Sequence, residues 1–377
     1  MSWETIQLGN FLTLKRGYDL PSSQRENGDI PVVSSSGVTG YHNVAKVKGP
    51  GVVTGRYGTL GEVFFIHEDF WPLNTALYVQ DFKGNDPKFS AYFLKSILSG
   101  ISSDKAAVPG VNRNELHARK VTVTRDLVQQ RAIAATLSTY DDLTENNRRR
   151  IALLEEAARL LYREWFVHLR FPGHEHVRVV DGVPEGWERM SLPDVIDVNP
   201  KTPIEKGREI WYVPMAALSE TGMTADIGSF ERRTKHTNVK FKRHDVLLAR
   251  ITPCLENGKT SFVYFLQDDE VACGSTEFIV LRGKRVSAYF TYCLARSYPF
   301  RENAIKSMIG SSGRQRVQVS CFDEYDVPLP PKHLLDMFDE IASENFEQIR
   351  VLMAQNDRLA QARDLLLPRL MNGEIAV

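Results

Sequence analysis

The sequence predicts an α+β protein in two matched halves. Each half is a mixed α/β globular segment followed by a long helix, and the two helices pair antiparallel as a coiled coil about an internal pseudo-two-fold. Three observations carry this. Two long stretches show apolar residues at 4,3 spacing, each is preceded by a β-rich segment broken by turn residues, and short matches recur in the same order in both halves. At about 100–200 residues per domain, 377 residues allow two or three folding units. The expected divisions are a first globular domain over 1–125, a central helix over 126–172, a second globular domain over 173–331 entered through a linker at 173–186, and a C-terminal helix over 332–377.

In the first segment the β-rich runs are Ile30–Val33, Gly51–Thr54, Glu62–Ile66 and Ala76–Val79, set between Gly, Pro and Ser. From Asp126 to about Leu169 there is neither Pro nor Gly. Ile133, Leu137, Tyr140, Thr144, Asn147, Ile151, Leu154, Ala158, Leu161 and Trp165 repeat as a seam with a polar middle. Asp126 with Gln129 resembles a capping box, and Phe171-Pro172-Gly173 stops the helix. The second segment has strand-like runs at Tyr212-Val-Pro, Asp245–Ala249, Ser261–Phe265 and Phe278–Leu281. Pro330-Pro331 then opens a helix with the series Leu335, Phe338, Ala342, Asn345, Ile349, Leu352, Asn356, Leu359, Arg363, Leu366, Leu370, closed by Asn372-Gly373. Leu154, Leu161, Leu359 and Leu366 are the expected mutual core, with Asn147, Asn345 and Asn356 fixing register. Tyr162, Trp165 and Phe166 are core or a docking face. The plainer alternative is two amphipathic helices lying on separate cores.

The halves match at four places. Trp3-Glu4 corresponds to Trp187-Glu188, and Gly51-Val-Val-Thr-Gly-Arg56 to Asp245-Val-Leu-Leu-Ala-Arg250. Asn74-Thr75 corresponds to Ser275-Thr276, and Ser90-Ala-Tyr-Phe93 recurs as Ser287-Ala-Tyr-Phe290. A straight central helix spans roughly 65 Å at about 1.5 Å per residue. A second helix returning along it after a short linker must run antiparallel, with one globular domain at each end.

Apolar residues at 42% and charged residues at 25% exclude long disorder. Lys+Arg 47 balance Asp+Glu 47, which excludes a polycation. The charge is nevertheless segregated. Residues 1–125 carry 14 basic and 11 acidic groups, 126–186 carry 8 and 10, 187–331 carry 20 and 18, and 332–377 carry 5 and 8. Basic excess gathers at 105–131, 231–260 and 282–316, where arginines stand beside Ser, Thr, Asn and Gly. Such clusters are either solvated surface or contacts to phosphates and base edges. A dyad-related pair of basic domains suits duplex DNA, whose half-sites sit a set number of base pairs apart. Cys254, Cys273, Cys293 and Cys321 form no C-x-x-C pair, so neither zinc nor a disulfide framework is expected. With no basic-then-apolar leader and no run of 18 apolar residues, the expectation is a soluble, reduced, cytoplasmic protein.

Catalytic motifs fail in turn. Gly258-Lys259-Thr260 resembles the end of a phosphate-binding loop, but Pro253 stands where that motif needs glycine. Gly55-Arg-Tyr-Gly58-Thr-Leu-Gly61 has the spacing of a tight turn and is either a hairpin or a DNA-facing loop. Asp86-Pro87-Lys88 lacks the upstream half of a nuclease motif, the histidines form no H-x-x-x-H, and no Asn-Pro-Pro-aromatic is present. No catalytic residue and no metal site is expected.

The arrangement resembles the specificity (S, HsdS) subunit of Type I restriction–modification systems over essentially the whole chain. The residues that carry the resemblance are Trp3-Glu-Thr-Ile-Gln-Leu-Gly9, Val183-Pro-Glu-Gly-Trp187-Glu, Gly55-Arg-Tyr-Gly-Thr-Leu-Gly61, Gln129-Gln-Arg-Ala-Ile-Ala134, Leu160-Leu-Tyr-Arg-Glu-Trp-Phe166 and Leu366-Leu-Pro-Arg-Leu-Met-Asn-Gly373. The resemblance implies a non-catalytic subunit of a host-defence complex. Its two target recognition domains would each read one half of a bipartite, asymmetric sequence in double-stranded DNA, and the helices would set the spacing and dock two methylation subunits. S-adenosylmethionine, ATP and Mg would belong to partner subunits, and the restriction subunits would join through the methylation subunits. No cofactor is expected in this chain. The alternative is a coiled-coil scaffold with two protein-binding end domains. The second domain departs from the Gly-Arg-Tyr-Gly loop, offering Ala249-Arg-Ile-Thr-Pro253, so the domains should read different half-sequences.

The DNA-facing candidates in the first domain are Ser34, Ser35, Ser36, Tyr41, Arg56, Tyr57, Thr59, Asn74, Thr75, Asn112 and Arg113; the serines can equally be turn formers. In the second they are Arg250, Thr252, Lys259, Ser275, Thr276, Arg314, Gln315 and Arg316. Lys235, Lys240, Lys242 and Arg243 are expected on phosphates, adding salt-sensitive affinity without sequence information.

Overall fold

Apolar residues alternate in short runs and then recur at helical spacing, and the structure follows both periods. A computed structural model describes residues 3–56, 61–98, 112–205, 207–235, 239–311 and 313–377. The candidates Tyr57 and Thr59 lie outside these residues. The chain divides into two units, Met1–Asn146 with Gln355–Val377, and Asn147–Ala354. The divisions fall inside the two long helices, so each unit holds part of both.

In the first unit the elements are β1 (Trp3–Gln7), α1 (Leu8–Phe11), β2 (Thr13–Arg16), β3 (Ile30–Ser34), β4 (Gly37–His42), β5 (Gly51–Gly55), β6 (Val63–Ile66), β7 (Trp71–Pro72), β8 (Ala76–Asp81), α2 (Pro87–Leu98), α3 (Arg113–Ala118), β9 (Lys120–Thr124) and the start of α4 (Leu127–Tyr162). One antiparallel sheet runs β2-β8-β5-β6, a second runs β4-β3-β7 with β3 and β7 parallel, and β1 pairs with β9. Asp86 caps α2 by accepting from Phe89 N at 2.8 Å, and Asp126 caps α4 by accepting from Val128 N at 2.9 Å. Asp86-Pro87-Lys88 is thus a helix start. Phe11, Phe89 and Phe93 centre the core, which Ile133 and Leu137 of α4 complete together with Leu367, Leu370 and Met371.

In the second unit the elements are β10 (Val179–Val180), β11 (Val183–Pro184), β12 (Glu188–Ser191), α5 (Leu192–Val195), β13 (Ile196–Val198), β14 (Ile210–Val213), β15 (Glu231–Arg233), β16 (Val239–Lys242), β17 (Val246–Ala249), β18 (Thr260–Phe262), β19 (Val271–Gly274), β20 (Phe278–Gly283), α6 (Ala288–Arg296), α7 (Tyr298–Lys306), β21 (Asp326–Leu329) and α8 (Lys332–Met371), whose last part belongs to the first unit. Its sheets run β13-β20-β17-β18 and β15-β14-β19-β16, with β14 and β19 parallel, and β12 pairs with β21. Tyr162, Trp165 and Phe166 are core here. The Phe166 ring lies 5.1 Å from that of Phe290 and 5.2 Å from that of Phe338. Glu155 of α4 is buried and accepts from Tyr292 Oη and, at 2.8 Å, from Met223 N.

Strand order matches between the units, and backbone bonds give the register of the repeat. Arg56 N donates to Thr75 O at 3.0 Å and Arg250 N to Glu277 O at 2.9 Å, so Arg56 matches Arg250 and Thr75 matches Glu277. The pairing of Asn74-Thr75 with Ser275-Thr276 is therefore one residue out. Ser90-Ala-Tyr-Phe93 is also out of register with Ser287-Ala-Tyr-Phe290. Ser287 caps its helix, accepting from Phe290 N at 3.0 Å, whereas Asp86 caps α2, so Asp86 is the counterpart of Ser287 and the repeated tetrapeptide is displaced by one helical turn.

The long helices also depart from expectation in detail. Regular α-helix in α4 ends at Tyr162, and a wider turn carries the chain through Arg163–Val167. Leu154 and Leu161 are half-buried against the core of the second unit, and Leu366 against that of the first, while half-buried Leu359 joins neither. Buried apolar positions include Ile133, Leu137, Ile151, Ala158 and Tyr162 on α4 and Phe338, Ala342, Phe346, Ile349, Leu352 and Leu370 on α8. A straight α-helix drifts about 20° per heptad from a 3.5 repeat, and these faces are centred on globular cores, so the expected leucines fall at their edges. Asn147 is buried, and Asn345 and Asn356 are half-buried. Past the end of α8, Gly373 has φ +78°, and a Cβ there would strike the Trp3 indole. Gly373→Ala is expected to cost about 1–2 kcal/mol, the price of a left-handed alanine before any clash, read as a lowered Tm.

Candidate nucleic-acid interface

The interface candidates are positioned by the ends of sheet strands. In the first unit Arg56 follows directly on β5 and β8 is entered through Asn74 and Thr75. Asn74 N donates to Tyr18 O at 3.0 Å, which draws the loop after β2 to the same corner. Tyr18 Oη lies 3.1 Å from Tyr78 Oη, and the Lys15 ammonium sits 5.6 Å from the Tyr18 ring centre. The hydrogen bond with Tyr78 lowers the Tyr18 hydroxyl below the ordinary tyrosine range, and Lys15 and Lys46 act in the same direction; burial raises that of Tyr78. The corner therefore presents a cation, a polarised phenol, the Arg56 end of β5 and exposed Thr75. All are groups that can meet phosphates or base edges.

The same corner of the second unit is an open crevice of about 720 Å³ lined by Asn199, Lys201, Thr202, Lys240, Arg250 and Thr276 over an apolar floor including Phe278 and Val280. Beside it, Thr252 N donates to Gln315 O at 3.0 Å and Val317 N to Arg250 O at 2.9 Å, so Arg250, Thr252, Gln315 and Arg316 are stitched together through backbone bonds. Arg316 forms a fork on Glu277, with Nη2 at 2.7 Å and Nε at 2.9 Å from Oε1. Asp245 and Arg282 buttress the crevice from behind, with Arg282 Nη2 also donating to Thr202 Oγ1 at 3.0 Å.

Other candidates have structural roles or lie apart. Ser34 is buried and makes the turn, accepting from Ser36 N at 3.1 Å and donating to Gly37 O at 3.3 Å, whereas Ser36 and Tyr41 are exposed and Ser35 half-buried. Asn74 Nδ2 donates to Asp19, which occupies its amide. Asn112 caps α3 by accepting from Asn114 N at 2.9 Å, and Arg113 Nη2 donates to Asn114 Oδ1 at 3.1 Å. Arg243 is half-buried, donating to Leu266 O at 3.3 Å and paired with Asp268, so it is an anchor for its own loop. Lys259 Nζ reaches Met215 O at 3.4 Å, and Ser275 Oγ accepts from Glu277 N at 3.2 Å. Lys235, Lys242 and Arg314 are exposed and outside the crevice lining.

Sequence reasoning missed Lys15, Tyr18, Tyr78, Asn199, Lys201, Thr202 and Glu277. A signal existed. The offset of 184 that carries Trp3 to Trp187 also carries Lys15 to Asn199 and Tyr18 to Thr202. Register agrees, since Lys15 pairs with Tyr78 and Asn199 N donates to Val280 O at 2.7 Å. No group of three or more metal-ligating side chains occurs among the described residues, and no helix among them is long and apolar enough to cross a membrane.

A profile of the Type I restriction modification DNA specificity domain matches residues 1–156 and 184–342. The specificity subunit of the type I restriction enzyme EcoEI of Escherichia coli is 32% identical over 154 residues, which are 40% of this chain and 26% of that subunit. The MjaIX specificity subunit of Methanocaldococcus jannaschii is 25% identical over 262 residues, 66% of this chain and 59% of that one. The chain thus spans less than two thirds of either relative. The S subunit of a Type-I restriction-modification system from M. genitalium has a similar fold, with a TM-score of 0.57 at 15% identity, over 98% of this chain and 96% of that one. With the profile matched once in each half and most of the sequence covered, the chain belongs to the Type I restriction modification DNA specificity domain family.

Proposed function

We propose that the chain is the DNA-reading, non-catalytic specificity subunit of a type I restriction–modification complex. Its globular domains, 1–125 and 173–331, act as target recognition domains, each contacting one half of a bipartite site in double-stranded DNA. The two long helices pair antiparallel, hold the half-sites at a set spacing and dock two methylation subunits. Restriction subunits join through these, and S-adenosylmethionine, ATP and Mg sit on the partners, all in the cytoplasm.

One observation supports this above the rest. Both domains place an arginine directly after the same strand, tied by the same backbone bond, Arg56 to Thr75 and Arg250 to Glu277, yet surround it with different side chains. Tyr18 and Tyr78 stand where the second domain has Thr202 and Val280. A common frame with unlike edges suits two readers of unlike half-sequences, because the frame fixes the approach to the duplex and the side chains choose the bases. Methylome sequencing of cells with and without the gene tests this. The expected result is one bipartite adenine-methylated motif that disappears with the gene; an unchanged methylome overturns it. Arg56→Ala is expected to relax one half of that motif and leave the other intact, and equal loss in both halves would count against separate readers.

A further inference from the structure

We propose that Arg316 reads a guanine in the half-site of the second domain and that Glu277 is the positioning residue that aims it; this rests on the function proposed above. The argument begins with which edge of the guanidinium is engaged. Nε and Nη2 of Arg316 both face the Glu277 carboxylate, with Nε at 2.9 and 3.0 Å from its two oxygens and Nη2 at 2.7 Å from one of them. That is the side of the fork. Among the described residues Nη1 makes no hydrogen bond, and the side chain is 45% exposed. The end of the fork, Nη1 with the second N–H of Nη2, is therefore open. A planar pair of parallel donors fits the O6 and N7 acceptors of guanine in the major groove.

The backbone is held as firmly. Arg316 N donates to Ile309 O at 2.9 Å and Ile309 N to Arg316 O at 3.0 Å, while Ile251 bridges it from the other side. Glu277 is fixed by its own N–H on Ser275 Oγ at 3.2 Å, and its carbonyl accepts from Arg250. Arg316 keeps the Glu277 carboxyl below the usual carboxylate range, so the pair stays ionised at neutral pH. An exposed ion pair of this kind gives a fold little stability. A long side chain aimed in advance, however, loses less freedom on binding. The pairing also cancels the charge of Arg316, so it is poorly suited to attracting phosphate and better suited to reading a base. The first domain has Thr75 in place of Glu277, so this device belongs to one half-site only.

The test is a selection from a library of randomised duplex DNA by the full-length chain, alone or with its methylation subunits. Wild type is expected to require guanine at one position that Arg316→Ala releases, lowering the preference there by roughly 5- to 150-fold and leaving the other half-site and the salt dependence unchanged. Arg316→Gln keeps a donor and acceptor suited to adenine and should move the preference away from guanine at that same position. Glu277→Gln is expected to weaken it at that position alone, with an unaltered Tm. If Arg316→Ala keeps every guanine requirement, or weakens all sequences equally, the inference is overturned while DNA reading stands. If wild type enriches no sequence, the functional reading falls and takes this inference with it.

Discussion

Arg282→Met is expected to destabilise the second unit by about 3–5 kcal/mol, the usual cost of removing one partner from a buried ion pair. The Asp245 side chain is only 1% exposed. Its carboxylate is held by Arg282, with Nε at 2.6 Å from Oδ1 and Nη2 at 2.7 Å from Oδ2, and by Lys242 N at 2.8 Å. Methionine keeps the bulk of the arginine stem and removes the charge, leaving Asp245 with one backbone donor in a dry site. Denaturant unfolding measures the loss, and the double variant Asp245→Asn, Arg282→Met should recover much of it. A single-variant cost below about 1 kcal/mol would mean that Asp245 is not dry. Since Arg282 also holds Thr202 at the crevice, the same substitution should loosen reading of the second half-site.

The larger design was legible because it is written in period and punctuation. The strands at 51–55 and 246–249 fall on the β-rich runs expected at 51–54 and 245–249 between turn residues, and Asp126 caps α4 because a helix start needs an acceptor. What was illegible depended on partners distant in sequence. Nothing near Glu277 announces that Arg316 will lie against it, 39 residues on. Identity of letters also misled where hydrogen bonding decides. The tetrapeptide Ser-Ala-Tyr-Phe looked like the anchor of the repeat, but the chain sets its register by caps and strand bonds, so Asp86 and Ser287 are counterparts despite sharing no letter. The serines at 34–36 separate for the same reason. Ser34 is consumed by its own turn, and only its neighbours remain available to a ligand.

Matched insertions in both long helices are expected to lengthen the recognised site without changing either half-sequence. The divisions between units, Asn146/Asn147 in α4 and Ala354/Gln355 in α8, are the places to insert, because neither globular core contributes buried apolar side chains there. Four residues add about 6 Å of helix, nearly two base steps at about 3.4 Å each. They also turn the helix by only about 40° beyond a full rotation, so each domain still approaches the duplex on much the same face. Methylation mapping should then show both half-motifs intact and one or two base pairs more between them. Two residues in each helix make the sharper control. They add half the length but turn the helix by about 200°, so one domain faces away from the groove and the bipartite motif should vanish rather than shift. Lengthening α4 alone should also fail, since the two helices would no longer agree on their register. If the four-residue variant methylates the original motif with its original spacer, helix length does not set the distance, and spacing must come from how partner subunits clamp the two domains.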